Sequence, residues 1–189
     1  DGSGCPNRKF DYIIAAGILE RSKCPAELLS RLRALLKPCG RLFVGAENRL
    51  ALRYFCGDKD RFSHHVFDSI DNYSKVVGKG RENLEGRAFA KAELAEMLTS
   101  AGFAGYKFYA VLPCLTRPQL IISEGYQPNE SVGARVFPQY NSPETVFLEE
   151  EKLYGTLLEN NMFHQMAGAF LIECPADGKS SDIDQITVQ

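Results

Sequence analysis

Residues that could bind a substrate or take part in catalysis cluster directly after an apolar segment. Glu47, Asn48 and Arg49 follow this segment, and Arg53 and Tyr54 come a few positions later. A carboxylate can orient an acceptor or take its proton, and a guanidinium can bind an anion. We predict Glu47 as a catalytic residue and the other four as substrate-binding residues. The alternative is that Glu47 and Asn48 only hydrogen-bond the loop backbone and that the arginines lie on a solvated helix face.

Two adjacent histidines, His64 and His65, are further candidates for catalysis. An imidazole can serve as a general base near neutral pH, and we predict this role for one of the two. Neighbouring side chains point in different directions in a strand or a helix, so the pair is poorly suited to hold one metal ion. The alternative is that both are ordinary loop histidines.

The six cysteines lie at positions 5, 24, 39, 56, 114 and 174. They lack the closely spaced pairs of structural zinc sites, so we predict no metal site. In a chain of 189 residues they indicate reduced thiols and a cytoplasmic location. The net charge of −2 argues against nucleic-acid binding, and no apolar run reaches the ~18 residues of a membrane span.

The elements that would position these residues begin with a strand, a helix and a second strand between Phe10 and Leu50. Residues 11–19 are apolar almost throughout, which predicts a strand covered on both faces. Pro25 and leucines at helical spacing predict a helix that stops at residues 38–40, and residues 41–46 predict the second strand. Such a unit builds a parallel sheet whose ligand crevice lies beyond the carboxyl ends of the strands.

The remaining chain predicts two insertions among further elements. Residues 49–88 lack clean periodicity and form a predicted lid or substrate-binding insertion, with a short helical turn near its start. A helix over 89–101 and strands over 106–112 and 169–174 follow, and 120–122 fits a short strand or a turn. Residues 125–166 form a predicted second insertion, with an irregular loop and then a helix over 146–166 that has an acidic start.

Several of these segments resemble one known family. They are Phe10-Asp11-Tyr12-Ile13-Ile14 with Gly17-Ile18-Leu19-Glu20, Leu35-Leu36-Lys37-Pro38-Cys39-Gly40-Arg41-Leu42-Phe43-Val44, Leu94 to Phe103, and Glu47-Asn48-Arg49-Leu50-Ala51-Leu52-Arg53-Tyr54-Phe55-Cys56-Gly57. The pattern is similar to the C-terminal half of a class I S-adenosylmethionine-dependent methyltransferase. The last segment resembles a bacterial group found in multidomain proteins.

The resemblance implies an α/β fold: a partial, doubly wound Rossmann-like sheet with strands 4, 5, 7 and 6 of the family, helices on both faces and the two insertions. It implies S-adenosylmethionine as cofactor, with Gly17, Leu19 and Glu20 as a partial cofactor site. It also implies methyl transfer to an O or N acceptor, a small molecule or a saccharide-type compound.

The family's glycine-rich cofactor loop is not found in this sequence. Asp1-Gly2-Ser3-Gly4 has no strand before it, and Gly78-Lys79-Gly80 fails as a phosphate loop. We therefore expect residues 1–178 to be the C-terminal half of a methyltransferase-like domain that is inactive alone, and 179–189 to start a following segment. The strand over 10–19 would then need the N-terminal half, a homo-oligomer mate or an insertion to cover its open edge.

Two other functions stay open. One is a non-catalytic α/β binding or scaffold module that acts through the edge strand and the insertions. The other is a different α/β enzyme, such as one that acts on nucleotide sugars.

Overall fold

The computed structural model describes residues 8–77, 84–128 and 132–179. The helices and strands, in chain order, are β1 (Phe10–Ala16), α1 (Pro25–Ala34), β2 (Leu36–Glu47), α2 (Leu52–Phe55), α3 (Ser74–Val77), α4 (Lys91–Ser100), β3 (Lys107–Leu112), β4 (Leu120–Ser123), α5 (Tyr154–Glu159) and β5 (Ala169–Pro175). Single turns of 3-10 helix lie at 132–134, 143–145, 150–152 and 164–166.

The five strands form one sheet in the order β1-β2-β5-β3-β4. β1 and β2 are parallel, whereas β5 lies antiparallel between β2 and β3. β4 pairs with β3 as an antiparallel edge strand, so residues 120–122 belong to a strand and not to a turn. The order β1-β2-β5-β3 is the order predicted for these four strands, so the predicted Rossmann-like α/β fold is confirmed.

One face of the sheet forms the hydrophobic core. Alternate residues of β2 point to this face, and Leu42, Val44 and Ala46 have no measurable exposure. Helices α1 and α4 contact each other and contribute Leu29, Leu94 and Leu98 to the same core. Each fully buried leucine stabilises the fold by roughly 1.5–3 kcal/mol, so these contacts fix β2 and the polar residues that follow it.

The opposite face of β1 is exposed, which differs from the prediction that both faces of this strand are covered. Tyr12 is 66% and Ile14 78% exposed, whereas Ala15 on the other face is buried. Helices α1 and α4 pack on the Ala15 side, and no described element covers Ile14. The apolar sequence of β1 therefore leaves an exposed hydrophobic surface at one end of the sheet.

Two predicted helices differ from those in the structure. Helix α1 ends at Ala34 and β2 already begins at Leu36, because the residue before Pro38 is disfavoured in helical geometry. The helix expected over 146–166 is broken into short turns around the six-residue α5. It cannot continue through Asn161, which has a φ of +56°.

Other expectations concern the chain as a whole. No helix in the described part of the chain is long and apolar enough to cross a membrane. The five cysteines among the described residues are unpaired, as expected for reduced thiols. The predicted segment 179–189 and Gly78-Lys79-Gly80 lie outside the described residues, apart from residue 179.

Candidate functional site

A polar cavity of about 510 Å³ lies beyond the carboxyl end of β2. Its walls come from Glu47 at the strand end, from the first insertion at positions 53–64, from the segment after β3 at 114–117, and from the second insertion at 139–142. The crevice is where a sheet with parallel strands is expected to bind its ligand. Both predicted insertions therefore contribute to one site.

The second insertion is fixed to the first by Asp58. This carboxylate is fully buried and accepts hydrogen bonds from the amides of Asn141 at 3.0 Å and Ser142 at 2.8 Å. Gly57, the preceding residue, has a φ of +101°, and a Cβ there would lie 2.6 Å from the Phe147 ring. Only glycine allows this close approach, so the wall of the cavity depends on it.

Arg53 is the centre of the charged network beneath the cavity. Its Nη2 donates to Glu47 Oε2 at 2.9 Å and to the Tyr54 hydroxyl at 3.1 Å. Its Nε lies 4.0 Å from Asp58 Oδ2, and this Nε is buried without a hydrogen-bond partner among the described residues. The side chains of Arg53 and Glu47 are only 5% and 3% exposed, so this is a buried ion pair.

Burial and charge act in opposite directions on this network. Burial alone would lower the pKa of Arg53, but the Tyr54 oxygen and the carboxylate of Glu47 hold it above the ordinary value. The guanidinium therefore stays charged. Burial raises the pKa of Tyr54 to about 12, although Arg53 opposes this shift, so the phenol stays protonated near neutral pH. Tyr54 can serve as a support for Arg53 and is itself fully buried.

Glu20 connects the ends of β1 and β2. Its Oε1 accepts a hydrogen bond from the backbone amide of Glu47 at 2.8 Å, and this contact holds Glu47 in place at the end of β2. Its Oε2 is buried and has no hydrogen-bond partner among the described residues. Burial raises the pKa of Glu20, and the Glu47 amide opposes that effect. One acceptor position of this carboxylate is thus left for a ligand or for water.

The other predicted cofactor residues lie beside Glu20. Gly17 has a φ of +68° and open space where a side chain would be, so its backbone can approach a ligand. Leu19 is completely buried in the core. A contact of Leu19 with a ligand would therefore have to involve its backbone.

Asn48 and Arg49 both hold loops in place. The Asn48 amide nitrogen donates to the carbonyls of Gln165 at 2.9 Å and Ala167 at 2.8 Å, and this side chain is fully buried. Arg49 donates through Nε to Glu93 Oε2 at 2.7 Å. The Asn48 contacts fit the alternative that this side chain hydrogen-bonds the loop backbone. Arg49 lies against Glu93 instead of on a solvated helix face, and neither residue lines the cavity.

Glu93, the partner of Arg49, lies in the first turn of α4. It accepts hydrogen bonds from Arg49, from Arg87 Nη2 at 2.9 Å and from the Ala90 amide at 2.6 Å. Burial alone would raise the pKa of Glu93, but the Ala90 amide and Arg49 lower it below the usual range. This ionised carboxylate connects the first insertion to α4.

The fold places the side chains of the two adjacent histidines differently with respect to the cavity. His64 is exposed at the edge of the cavity and has a φ of +60°. His65 is also exposed but does not line the cavity, and its carbonyl accepts from the Asp60 amide at 3.0 Å. His64 is therefore the better placed of the two for a role in proton transfer.

The cavity also contains residues that the sequence did not identify, namely Lys59, Asp60, Arg61, Cys114, Thr116, Arg117, Gln139, Tyr140, Asn141 and Ser142. Asp60 and Arg61 belong to a charged run soon after Arg53, and that proximity was the available signal. Residues 114–117 and 139–142 come from segments without any local motif. Only the fold brings them to the end of β2.

No protein-family model and no curated protein matches the chain. A solved S-adenosylmethionine-dependent methyltransferase from Thermotoga maritima, described as a possible histamine N-methyltransferase, is similar with a TM-score of 0.45 and 17% identity over 92% of this chain and 59% of that one. A S-adenosylmethionine-dependent methyltransferase from Archaeoglobus fulgidus gives 0.43 and 14% over 90% and 61%. A putative methyltransferase in complex with the Haloferax volcanii activator Trm112 gives 0.43 and 12% over 95% and 60%. The chain thus spans about three fifths of each of these structures.

Proposed function

We propose that this chain is the acceptor-binding part of an S-adenosylmethionine-dependent methyltransferase that acts on an O or N atom of a small-molecule or saccharide-type acceptor. The observation that carries the proposal is the polar cavity at the end of β2, in a sheet where an antiparallel β5 lies between β2 and β3. The segments that resemble the methyltransferase family form strands β1 and β2 of this sheet and helices α2 and α4.

Two residues fit a partial cofactor site. Gly17 offers open backbone, and Glu20 offers a buried carboxylate oxygen without a hydrogen-bond partner among the described residues. They would hold the polar part of S-adenosylmethionine, which supplies a methyl group activated by a positively charged sulfur. The sequence has no glycine-rich loop that follows a strand, so we propose that the chain alone does not catalyse transfer.

The residues of this chain would then act on the acceptor. Methyl transfer requires an acceptor atom to be aligned with the methyl carbon, which is chiefly a task of positioning. Arg53 and Glu47 hold each other in one orientation at 2.9 Å and form a fixed cavity floor. His64 at the edge can accept the proton that the acceptor loses.

Calorimetric titration with S-adenosylmethionine tests the proposal. We expect binding by the natural polypeptide that contains this chain, and weak or no binding by the 189 residues alone. A Glu20→Gln variant of the longer polypeptide should bind the cofactor more weakly, whereas the exposed control variant Glu27→Gln should bind as the wild type does. Failure of the longer polypeptide to bind would contradict the proposal.

A second candidate function is a non-catalytic module that acts through β1. The exposed side chains of Tyr12 and Ile14 support it, because a large apolar surface on an end strand favours association. The partner would be an N-terminal half of the same domain or a second copy of this chain. Analytical ultracentrifugation of the wild type and of Ile14→Lys tests this: association that the lysine abolishes, without cofactor binding by the longer polypeptide, would favour this function.

A further inference from the structure

The cavity has more cationic than anionic side chains in its walls. The cations are Arg53, Lys59, Arg61 and Arg117, and the carboxylates are Glu47 and Asp60. A concave site lined by an excess of one charge concentrates its field and attracts ions of the opposite sign. Whether this excess is available to a ligand depends on how the two carboxylates are used.

Both carboxylates are occupied by the protein itself. Glu47 accepts from Arg53 Nη2 at 2.9 Å. Asp60 Oδ1 accepts from the amides of Phe62 and Ser63, each at 2.9 Å. Asp60 Oδ2 accepts from the Tyr73 hydroxyl at 3.1 Å. The Asp60 carboxylate therefore lines the cavity with both oxygens already hydrogen-bonded to neutral donors of its own loop.

The guanidinium groups of Arg61 and Arg117 keep most of their donors for a ligand. Arg61 Nη1 lies 3.6 Å from Glu47 Oε1, which is longer than a hydrogen bond. Arg117 Nη1 donates to the neutral Gln139 side chain at 3.3 Å. In the part of the chain that the structure describes, no carboxylate oxygen lies within 4.0 Å of the Arg117 guanidinium. Lys59 differs, since its Nζ lies 3.4 Å from the exposed carboxylate of Glu144.

The cavity floor adds a buried donor. Arg53 Nε has no hydrogen-bond partner among the described residues although its side chain is only 5% exposed. An unpaired buried donor is costly, and a bound acceptor group, directly or through water, would relieve that cost.

We infer that the acceptor carries an anionic group, a carboxylate or a phosphate, which Arg61 and Arg117 bind at the mouth of the cavity. This inference rests on the proposed function, because it names the class of acceptor for the same site. Guanidinium groups match both anions through paired, charge-assisted hydrogen bonds. A cavity of about 510 Å³ suits a small molecule, and the amide and hydroxyl groups of Gln139, Ser142 and Thr116 suit an acceptor that also carries hydroxyls.

Backbone amide NMR titrations of the 189-residue chain test the inference without any cofactor. The probes are inorganic phosphate, glucuronate and uncharged glucose. We expect the two anions to shift amides of segments 59–64, 115–117 and 139–142, with binding that weakens as salt is raised. Glucose should bind at least about tenfold more weakly, because it cannot form charge-assisted hydrogen bonds.

Matched variants locate the binding groups. Arg117→Gln should weaken phosphate binding by about tenfold, and Arg61→Gln by a similar factor, since each removes a charged donor. Arg31→Gln, an exposed arginine on α1, should change binding less than about twofold. All three positions are at least partly exposed, and circular dichroism would check that each variant is folded.

The two proposals can fail separately. Absence of anion binding, shifts confined to other surfaces, equal binding of glucose, or equal losses in Arg31→Gln would each overturn the anionic acceptor and leave methyl transfer untouched. Anion binding at this cavity, together with a longer polypeptide that does not bind S-adenosylmethionine, would retain the anion site and remove the methyltransferase proposal.

Discussion

Replacing Arg53 by methionine should destabilise the protein more than any other single change at the cavity. The substitution keeps much of the side-chain volume but removes the cation that lies 2.9 Å from Glu47 Oε2 and 4.0 Å from Asp58 Oδ2. Both carboxylates are buried, so each would remain in the interior without this partner.

The magnitude follows from these distances. At an effective dielectric constant of about 20, unit charges 2.9 and 4.0 Å apart attract by about 6 and 4 kcal/mol. Desolvation of the guanidinium offsets several kcal/mol of this attraction, and removing one partner of a buried pair typically costs about 3–5 kcal/mol. Because Arg61 remains 3.6 Å from Glu47, we expect a loss near the lower end, about 3 kcal/mol.

Urea unfolding of the wild type and of Arg53→Met gives the change in the free energy of unfolding. The control is Arg31→Met, because Arg31 and Glu27 form an exposed pair with side chains 79% and 68% exposed, and we expect a change within about 0.5 kcal/mol. An Arg53→Met variant within about 1 kcal/mol of the wild type would refute the reasoning that Arg53 compensates buried charge.

Three further predictions concern the second insertion and its contacts. Burial raises the pKa of Glu150 to about 7 from an ordinary 4.5, so the folded state favours its protonated form. The free energy of unfolding should therefore fall by up to about 3 kcal/mol as the pH rises from 4.5 to 7. Urea unfolding at several pH values should show that the Glu150→Gln variant lacks this pH dependence. The same pH dependence in both proteins would contradict the prediction. Gly57→Ala should lower the free energy of unfolding by about 2 kcal/mol, because Gly57 has a positive φ and a Cβ there would lie 2.6 Å from the Phe147 ring. Gly155→Ala is the control and should not have this effect, since a Cβ at Gly155 would meet open space. Equal effects of the two substitutions would show that the close contact is unimportant. Asp58→Ala should speed hydrogen exchange at the backbone amides of residues 141–142, because both amides donate hydrogen bonds to the Asp58 carboxylate. Unchanged exchange would mean that other contacts hold this wall of the cavity.

The local sequence was sufficient to identify β1, α1 and β2, although not the end of α1 or the exposed face of β1. The apolar run after Phe10 predicted a strand, and leucines at helical spacing after Pro25 predicted α1. It failed at the helix expected over 146–166. The acidic start and apolar residues of that segment fit a helix, but it folds as separate turns that contact the first insertion, for example through the Phe147 amide and the Cys56 carbonyl at 2.9 Å.

Of the residues that line the candidate cavity, the sequence identified only some, for a related reason. Glu47 and Arg53 were identified because they follow the end of β2, and strand ends of this kind border the ligand crevice. Asn48 and Arg49 share that position in sequence, yet their side chains hydrogen-bond loop carbonyls and Glu93. Residues next to each other at a strand end point in different directions, so the sequence cannot distinguish them.

By itself, the sequence determined the alternation of strands and helices, and with it the edge of the sheet where polar residues collect. Hydrophobic periodicity carries that information because it is local. Tertiary structure alone decided that Arg61 from the first insertion, Arg117 after β3 and Gln139 from the second insertion meet around Arg53. Their proximity depends on β5 lying between β2 and β3 and on Asp58 binding the amides at 141–142, which are long-range contacts.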